Sequence, residues 1–274
     1  LRLFGLFFKA RTLIELLNPD LVVGFGGYLS VPFIIWAHFK SVPNFIHEQN
    51  IGLGMANRFL AEFTDKVIFS FPNSQILNKF KNKALILGLP LRKELRRLDK
   101  KLAKTYFGFD MDNFTVLVVG GSQGSSKINR GIMKALKDSI FSDIAVIHIA
   151  GFLDYEWIAQ EYKNLSIKNK VFSFMDRMDY AFSACDMAIS RAGAGTLAEI
   201  ISLSVPSVLI PYPYAKQHQL DNACFLSEKE AAILIRDEFF NAETIKEKII
   251  DLKNNPNKLE RITESLKFLD ISNS

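Results

Sequence analysis

A chain of 274 residues with an apolar fraction of 49% has the length for two α/β domains, or one large one, and the apolar content to fill their cores. The formal charge of +5 is a mild basic excess; no Arg/Lys-rich tract with interleaved aromatics points to nucleic acid, and an anionic membrane surface is the better candidate partner. Cys185 and Cys224 lie in apolar contexts without metal-ligand spacing, as buried free thiols of a reducing compartment do, and no window of about 18 apolar residues marks a membrane span.

The first stretch, residues 1–17, imitates a signal peptide until Lys9 and Arg11 interrupt it. It then runs on through Leu13 to Leu17 with no polar cleavage region, which reads as an amphipathic helix. Leu3, Phe4, Leu6, Phe7 and Phe8 beside Arg2, Lys9 and Arg11 suit a membrane interface. An ordinary core helix is the competing reading. The first residue is Leu and falls inside an element, so a preceding N-terminal portion is expected.

Strand and helix patterns then alternate. Asp20 to Gly24 predicts a strand ending at Gly26-Gly27, and Val31 to Phe39 an apolar helix. A strand Asn44 to His47 follows, then a loop from Glu48 to Gly54, a helix Met55 to Phe63, and strands Lys66 to Phe69 and Ala84 to Leu87. Short helical crossovers of this kind require a parallel, doubly wound sheet. From Arg92 to Asn113 the composition turns to Lys, Arg, Asp and Leu, predicting a charged helix and a domain boundary near Leu91. A second series holds strands at Thr115 to Gly120, Ala145 to Ala150, Lys170 to Phe174, Asp186 to Ser190 and Ser207 to Pro211, with a charged helical tail from Ala242. The fold class is α/β, with two Rossmann-like domains.

Four motifs carry candidate chemistry. Gly120 to Ser126 joins a strand to a helix; it is neither a Walker A loop nor a three-glycine dinucleotide fingerprint. It reads as a pyrophosphate cradle with Ser122 as hydroxyl donor, or as a plain tight turn. In Ser190 to Glu199, small residues lead to a helix opened by Thr196, with Glu199 one turn in to meet hydroxyls. The alternative is a Thr196/Glu199 capping box. His47-Glu48-Gln49-Asn50, straight after a strand, offers a proton relay in His47 and Glu48 and hydroxyl binding in the amides, or simply a polar loop. Gln217-His218-Gln219 and Asn222 follow two prolines; Gln219 and Asn222 share a helix face and read as amides for hydroxyl patterns, or as a plain helix start. Asp110-Met111-Asp112 imitates a paired-carboxylate metal motif but reads as a solvated turn, and His38 and His148 read as core histidines.

Together with Gly26-Gly27-Tyr28 and Ser30-Val31-Pro32, this ordered set resembles the MurG family, bacterial glycosyltransferases that add N-acetylglucosamine to lipid I to form lipid II in peptidoglycan synthesis. The resemblance runs from about Asp20 to Ala223. It implies a GT-B fold, two Rossmann-like domains with parallel sheets facing a cleft. Residues 1–91 would be the acceptor and membrane side, 92–258 the UDP-sugar-binding domain, and 259–274 a C-terminal helix packing back on the first. It further implies UDP-N-acetylglucosamine as donor. Ser122 would face the diphosphate, the backbone near Met175 would hold uracil, and Ala194, Gly195 and Thr196 would approach the diphosphate and sugar. Glu199 would bind the ribose, His218, Gln219 and Asn222 would read the sugar, and Asn50 and Arg92 would complete the site. Lipid I is the implied acceptor, attacked through the 4-hydroxyl of its muramyl sugar with inversion, without an obligatory metal or cofactor, at the cytoplasmic face of the membrane. The family's N-terminal glycine-rich loop with a histidine has no counterpart before Asp20, so two or three strand–helix units are expected to be missing. A related glycolipid-forming transferase and a non-catalytic nucleotide-sugar-binding remnant are the rival readings.

Overall fold

The computed structural model describes residues 2–72, 78–80, 82–121, 123–215 and 217–269, and its chain divides into two compact units, Leu1–Pro90 and Leu91–Asn273. Among these residues no helix is long and apolar enough to cross a membrane.

Unit 1 runs α1 (Arg2–Leu17), β1 (Val22–Gly24), α2 (Ser30–Phe39), β2 (Asn44–Glu48), α3 (Met55–Leu60), β3 (Lys66–Phe69) and β4 (Ala84–Ile86). Its described strands form a parallel sheet in the order β1-β2-β3-β4, so each crossover steps the same way. Ile34 of α2 and Leu60 of α3 close over Ile46, Val67 and Phe69 of the sheet. Helix α1 packs on α2 and turns Ala10 and Ile14 inward. Phe8 and Leu16 on its opposite side are exposed, as are Leu13 and Leu17 toward its C-terminal end. His38 is not a core histidine. It stands exposed on α2, edge-on to the rings of Phe39 and Phe63, because the buried positions of that helix fall at Ile34 and Ala37.

Unit 2 begins with an irregular stretch and then α4 (Lys100–Phe107), not the continuous charged helix expected from Arg92. Helix propensity there is overruled by long-range bonds. Arg97 donates to the Leu203 carbonyl, the Leu98 N–H donates to Ser183 Oγ at 2.9 Å, and Asp99 caps α4 by accepting from the Leu102 N–H. Then follow β5 (Phe114–Val119), α5 (Ser126–Ala135), β6 (Ile144–Ile149), α6 (Tyr155–Tyr162), β7 (Lys168–Phe172), α7 (Met178–Ala184) and β8 (Met187–Ser190). The unit ends with α8 (Ala194–Ser202), β9 (Ser207–Leu209), α9 (His218–Glu228), β10 (Ile233–Leu234), α10 (Ala242–Asn254) and α11 (Pro256–Leu269). Helix α11 packs on α8 and α10, burying Ile262 and Leu266.

All pairings in the second sheet are parallel, and its order is β10-β9-β8-β5-β6-β7. Every residue of β6 is buried, as a strand covered on both faces requires. From β5 the chain winds outward through β6 and β7, then returns to the other side of β5 with β8. That reversal is a topological switch point, where open α/β sheets leave a crevice beyond the carboxyl ends of the strands.

Candidate functional site

The crevice exists. Val119 of β5 lies beside Ser190 of β8, so the turns that follow them, Gly120 to Ser125 and Arg191 to Gly193, diverge around a cavity of about 730 Å³. Gly120, Gly124 and Ser125 line it from one turn, Gly193, Gly195 and Thr196 from the other, with Tyr212 and Gln219 from the loop and helix after β9.

Both helices that start here are left uncapped by side chains. Ser125 precedes α5 and Gly193 precedes α8, neither side chain accepts a cap hydrogen bond, and neither first turn holds an acid. Elsewhere in the unit α6 and α7 also lack a side-chain cap but hold an acid in the first turn, Glu156 and Asp179, while α4 and α10 are capped. Asp99 caps α4, and Asn241 forms a capping box with Thr244 on α10. Two sets of free N–H groups and two positive dipole ends therefore meet at one cavity, which is an anion site built from backbone.

The Thr196/Glu199 capping box is absent. Helix α8 begins two residues earlier than the sequence suggests, at Ala194, which puts Thr196 inside the first turn and Glu199 in the second. Glu199 is half-buried; burial pushes its carboxyl above the usual range, and the positive charge of Arg92 works against that rise. Arg92 is itself exposed, so its charge is available beside the carboxylate. Gln219 lies at the crevice, its Oε1 accepting from the Tyr212 N–H at 2.9 Å, which leaves its amide nitrogen to donate. His218 is half-buried at the start of α9. Met175 is buried in the turn after β7. Ala194 opens α8 itself. Ser122 lies outside the described residues.

Asn222 lies beneath the turn after β8. It is fully buried and donates to the Ala192 carbonyl at 3.0 Å, which braces the turn from beneath. Arg191 acts in the same way. Its Nη1 donates to the carbonyls of Ile210 at 3.1 Å and Pro211 at 3.2 Å and pairs with Asp237 at 2.6 Å, while its guanidinium lies over the Tyr212 ring. Lys127 and Asp237 had no signal in the sequence; they are 110 residues apart and meet only in the fold. The Asp110 turn is exposed and pairs with Lys168. Among the described residues no group of three or more His, Cys, Asp or Glu could hold a metal.

In unit 1 both residues of the expected proton relay are buried. Glu48 is buried, and both carboxylate oxygens are taken. Oε1 accepts from the backbone and side chain of Asn50, at 3.0 and 3.3 Å, and Oε2 from the Gly54 N–H and Asn57 Nδ2, both at 2.9 Å. His47 is buried with Nε2 3.2 Å from both the Gly88 carbonyl and Ser70 Oγ. With four donors on its carboxylate, Glu48 fixes the loop that carries Asn50, and His47 is held beside it.

The architecture has known counterparts. The crystal structure of Acinetobacter baumannii MurG superposes with a TM-score of 0.77 at 26% identity, over 97% of this chain and 75% of that one. The calicheamicin glycosyltransferase CalG4 shares the fold at a TM-score of 0.71 and 14% identity, covering 97% and 72%. The chain thus has the GT-B fold of glycosyltransferases. Residues 115–273 match the glycosyltransferase family 28 C-terminal domain and residues 1–69 its N-terminal domain. UDP-N-acetylglucosamine–N-acetylmuramyl-(pentapeptide) pyrophosphoryl-undecaprenol N-acetylglucosamine transferases are similar across nearly the whole chain. That of Desulforamulus reducens is 37% identical over 94% of this chain and 71% of its own length, and that of Thermodesulfovibrio yellowstonii 37% over 91% and 69%. The chain belongs to glycosyltransferase family 28, and within it to the MurG transferases.

Proposed function

We propose that the chain transfers N-acetylglucosamine from UDP-N-acetylglucosamine to the 4-hydroxyl of the muramyl sugar of lipid I, giving lipid II for peptidoglycan. The pair of uncapped helix N-termini at the switch point of unit 2 supports the donor half of this reading most directly. As the acceptor hydroxyl attacks the anomeric carbon, the bond to UDP breaks and negative charge grows on the diphosphate. Backbone N–H groups of α5 and α8 stabilise that charge where it develops, with Arg92 adding to the field. Glu199 accepts from the ribose hydroxyls, and Gln219 donates to the sugar. The test is transfer of labelled sugar from the donor to a lipid I analogue; product with lipid I and none with an unrelated lipid-linked sugar is expected. A chain that binds UDP yet transfers nothing to lipid I would stand as a binding remnant.

Glu199→Ala should weaken UDP binding by about 1–3 kcal/mol, roughly 5- to 150-fold, because a half-buried acceptor and its partner hydroxyls are separated. Calorimetry with EDTA present throughout is the measurement. Wild-type affinity in the folded variant would remove Glu199 from the site, and donor binding that returns only with magnesium would put the burden on a metal.

Membrane contact is the finer part of the reading. Phe8 and Leu16 are exposed on the side of α1 away from Ala10 and Ile14, with Lys9 and Arg11 exposed close by in the chain. Apolar side chains flanked by cations settle at the boundary of acyl chains and anionic headgroups. Leu3 and Phe4, named from the sequence, have side chains outside the described residues. Phe8→Ser with Leu16→Ser alters exposed positions only and should reduce co-sedimentation with anionic vesicles several-fold. If the folded double variant pellets like wild type, the contact lies elsewhere.

A further inference from the structure

One carboxylate behind the crevice holds two of the cations at its edge. Asp237 opens the short 3-10 turn Asp237–Phe239 that follows β10. Its Oδ1 accepts from Arg191 Nη1 and its Oδ2 from Lys127 Nζ, each at 2.6 Å, and its carbonyl oxygen takes Lys127 Nζ at 2.5 Å. Lys127 stands in the first turn of α5 and Arg191 directly after β8; both line the crevice, and Asp237 does not. Burial alone would raise the Asp237 carboxyl, but hydrogen bonds from Lys127 and Arg191 outweigh it and hold the group below the usual carboxylate range.

We propose that Asp237 is a positioning residue that sets how tightly the crevice holds a diphosphate, by neutralising Lys127 and Arg191 from behind. The proposal rests on the reading that the crevice takes the donor's diphosphate. Two helix N-termini and two unmatched cations would hold a polyanion strongly. In the transfer, a diphosphate diester becomes UDP, whose terminal phosphate carries additional negative charge. A fixed carboxylate close by opposes the more highly charged species more, so it weakens product more than donor and lets UDP leave. Lys127 is the mobile member: its side chain is 45% exposed against 9% for Arg191, which two carbonyls also hold.

Asp237→Asn keeps the shape and an acceptor oxygen for Arg191 while removing the charge. Calorimetry of this variant with UDP, UDP-N-acetylglucosamine, inorganic pyrophosphate and uridine reads the effect. UDP and pyrophosphate should tighten by roughly five- to tenfold at low salt, the donor by less, and uridine not at all. The gain should shrink at high salt and fall to the part carried by Arg191 in Asp237→Asn with Lys127→Gln. A merely structural residue would lower the thermal midpoint and weaken all nucleotide probes together. Unchanged or weaker UDP binding by the folded variant overturns the proposal. Asp237→Ser is the second neutral variant, and if neither folds, Asp237 belongs to stability alone and the proposal falls. Wild type binding pyrophosphate but not UDP would sink the donor reading while the Asp237 effect is still read on pyrophosphate. Wild type binding neither sinks both.

Discussion

Gly124→Ala will destabilise unit 2 by roughly 3 kcal/mol and lower its melting temperature by about 6–12 °C. Gly124 sits at φ +76°, a conformation that costs an L-residue about 1–2 kcal/mol. A β-carbon there would also lie 2.5 Å from the Ala150 carbonyl oxygen and 3.0 Å from the Gly151 Cα. Those are backbone atoms at the end of β6, so the overlap cannot be relieved by a rotamer change. The turn must lift from the strand end, which tilts the start of α5 and weakens UDP binding as well. Gly193→Ala is the matched control in the other turn. Its φ is −69° and no atom lies within 4 Å of the added carbon, so its melting temperature should stay within a degree or two of wild type. Thermal unfolding of the two variants side by side decides the matter, and equal melting points would refute the packing argument.

Acid will destabilise the same unit well above the range in which carboxylates titrate. His148 on β6 is completely buried, with Nδ1 3.0 Å from the Tyr162 hydroxyl and Nε2 3.0 Å from Asn129 Oδ1. Burial pushes its pKa down from 6.5 to about 3, with Asp154 pulling weakly the other way. A depressed histidine stays neutral in the fold while the unfolded chain takes up a proton below pH 6.5. Its contribution to stability is therefore complete above that pH and is lost as pH falls toward 3. The slope is about 1.4 kcal/mol per pH unit once below 6.5, summing to about 3 kcal/mol by pH 4. Urea unfolding at pH 7, 5.5 and 4 should show this slope in wild type and lose most of it in His148→Gln. Parallel slopes in the two proteins would clear His148. The network extends to the crevice, since Asn129 donates to Asp154 at 2.8 Å and Ser126 also bonds that carboxylate.

Strand positions were legible in the sequence because parallel strands covered on both faces must be short apolar runs, and such runs at 115–119, 145–149 and 187–190 all became strands. β10 has two residues, too few for any pattern. Residues 92–99 misled because their helix propensity is local, whereas the bonds of Arg97 and Leu98 reach 106 and 85 residues along the chain. Of the site, the glycine turns were readable, since glycine marks close backbone approach. The internal hydrogen bonds of Glu48 and Asn222 were not readable, because a sequence shows polarity without showing which polar atoms are paired within the fold. Asp237 was invisible for the same reason, standing alone between Arg236 and Glu238.

The strand order of unit 2 also governs how it emerges from the ribosome. β5 is synthesised first in its sheet yet ends with neighbours on both sides, so the edge meant for β8 stays open until Met187 has appeared. At bacterial elongation rates that is a wait of several seconds for a strand of Thr, Val and Leu with unpaired N–H and carbonyl groups. Nascent chains on neighbouring ribosomes can pair through such an edge. The described strands of unit 1 join in chain order, each beside the last, and impose no comparable delay. Slowing translation between β7 and β8 should therefore raise aggregation during synthesis, while slowing it within unit 1 should not.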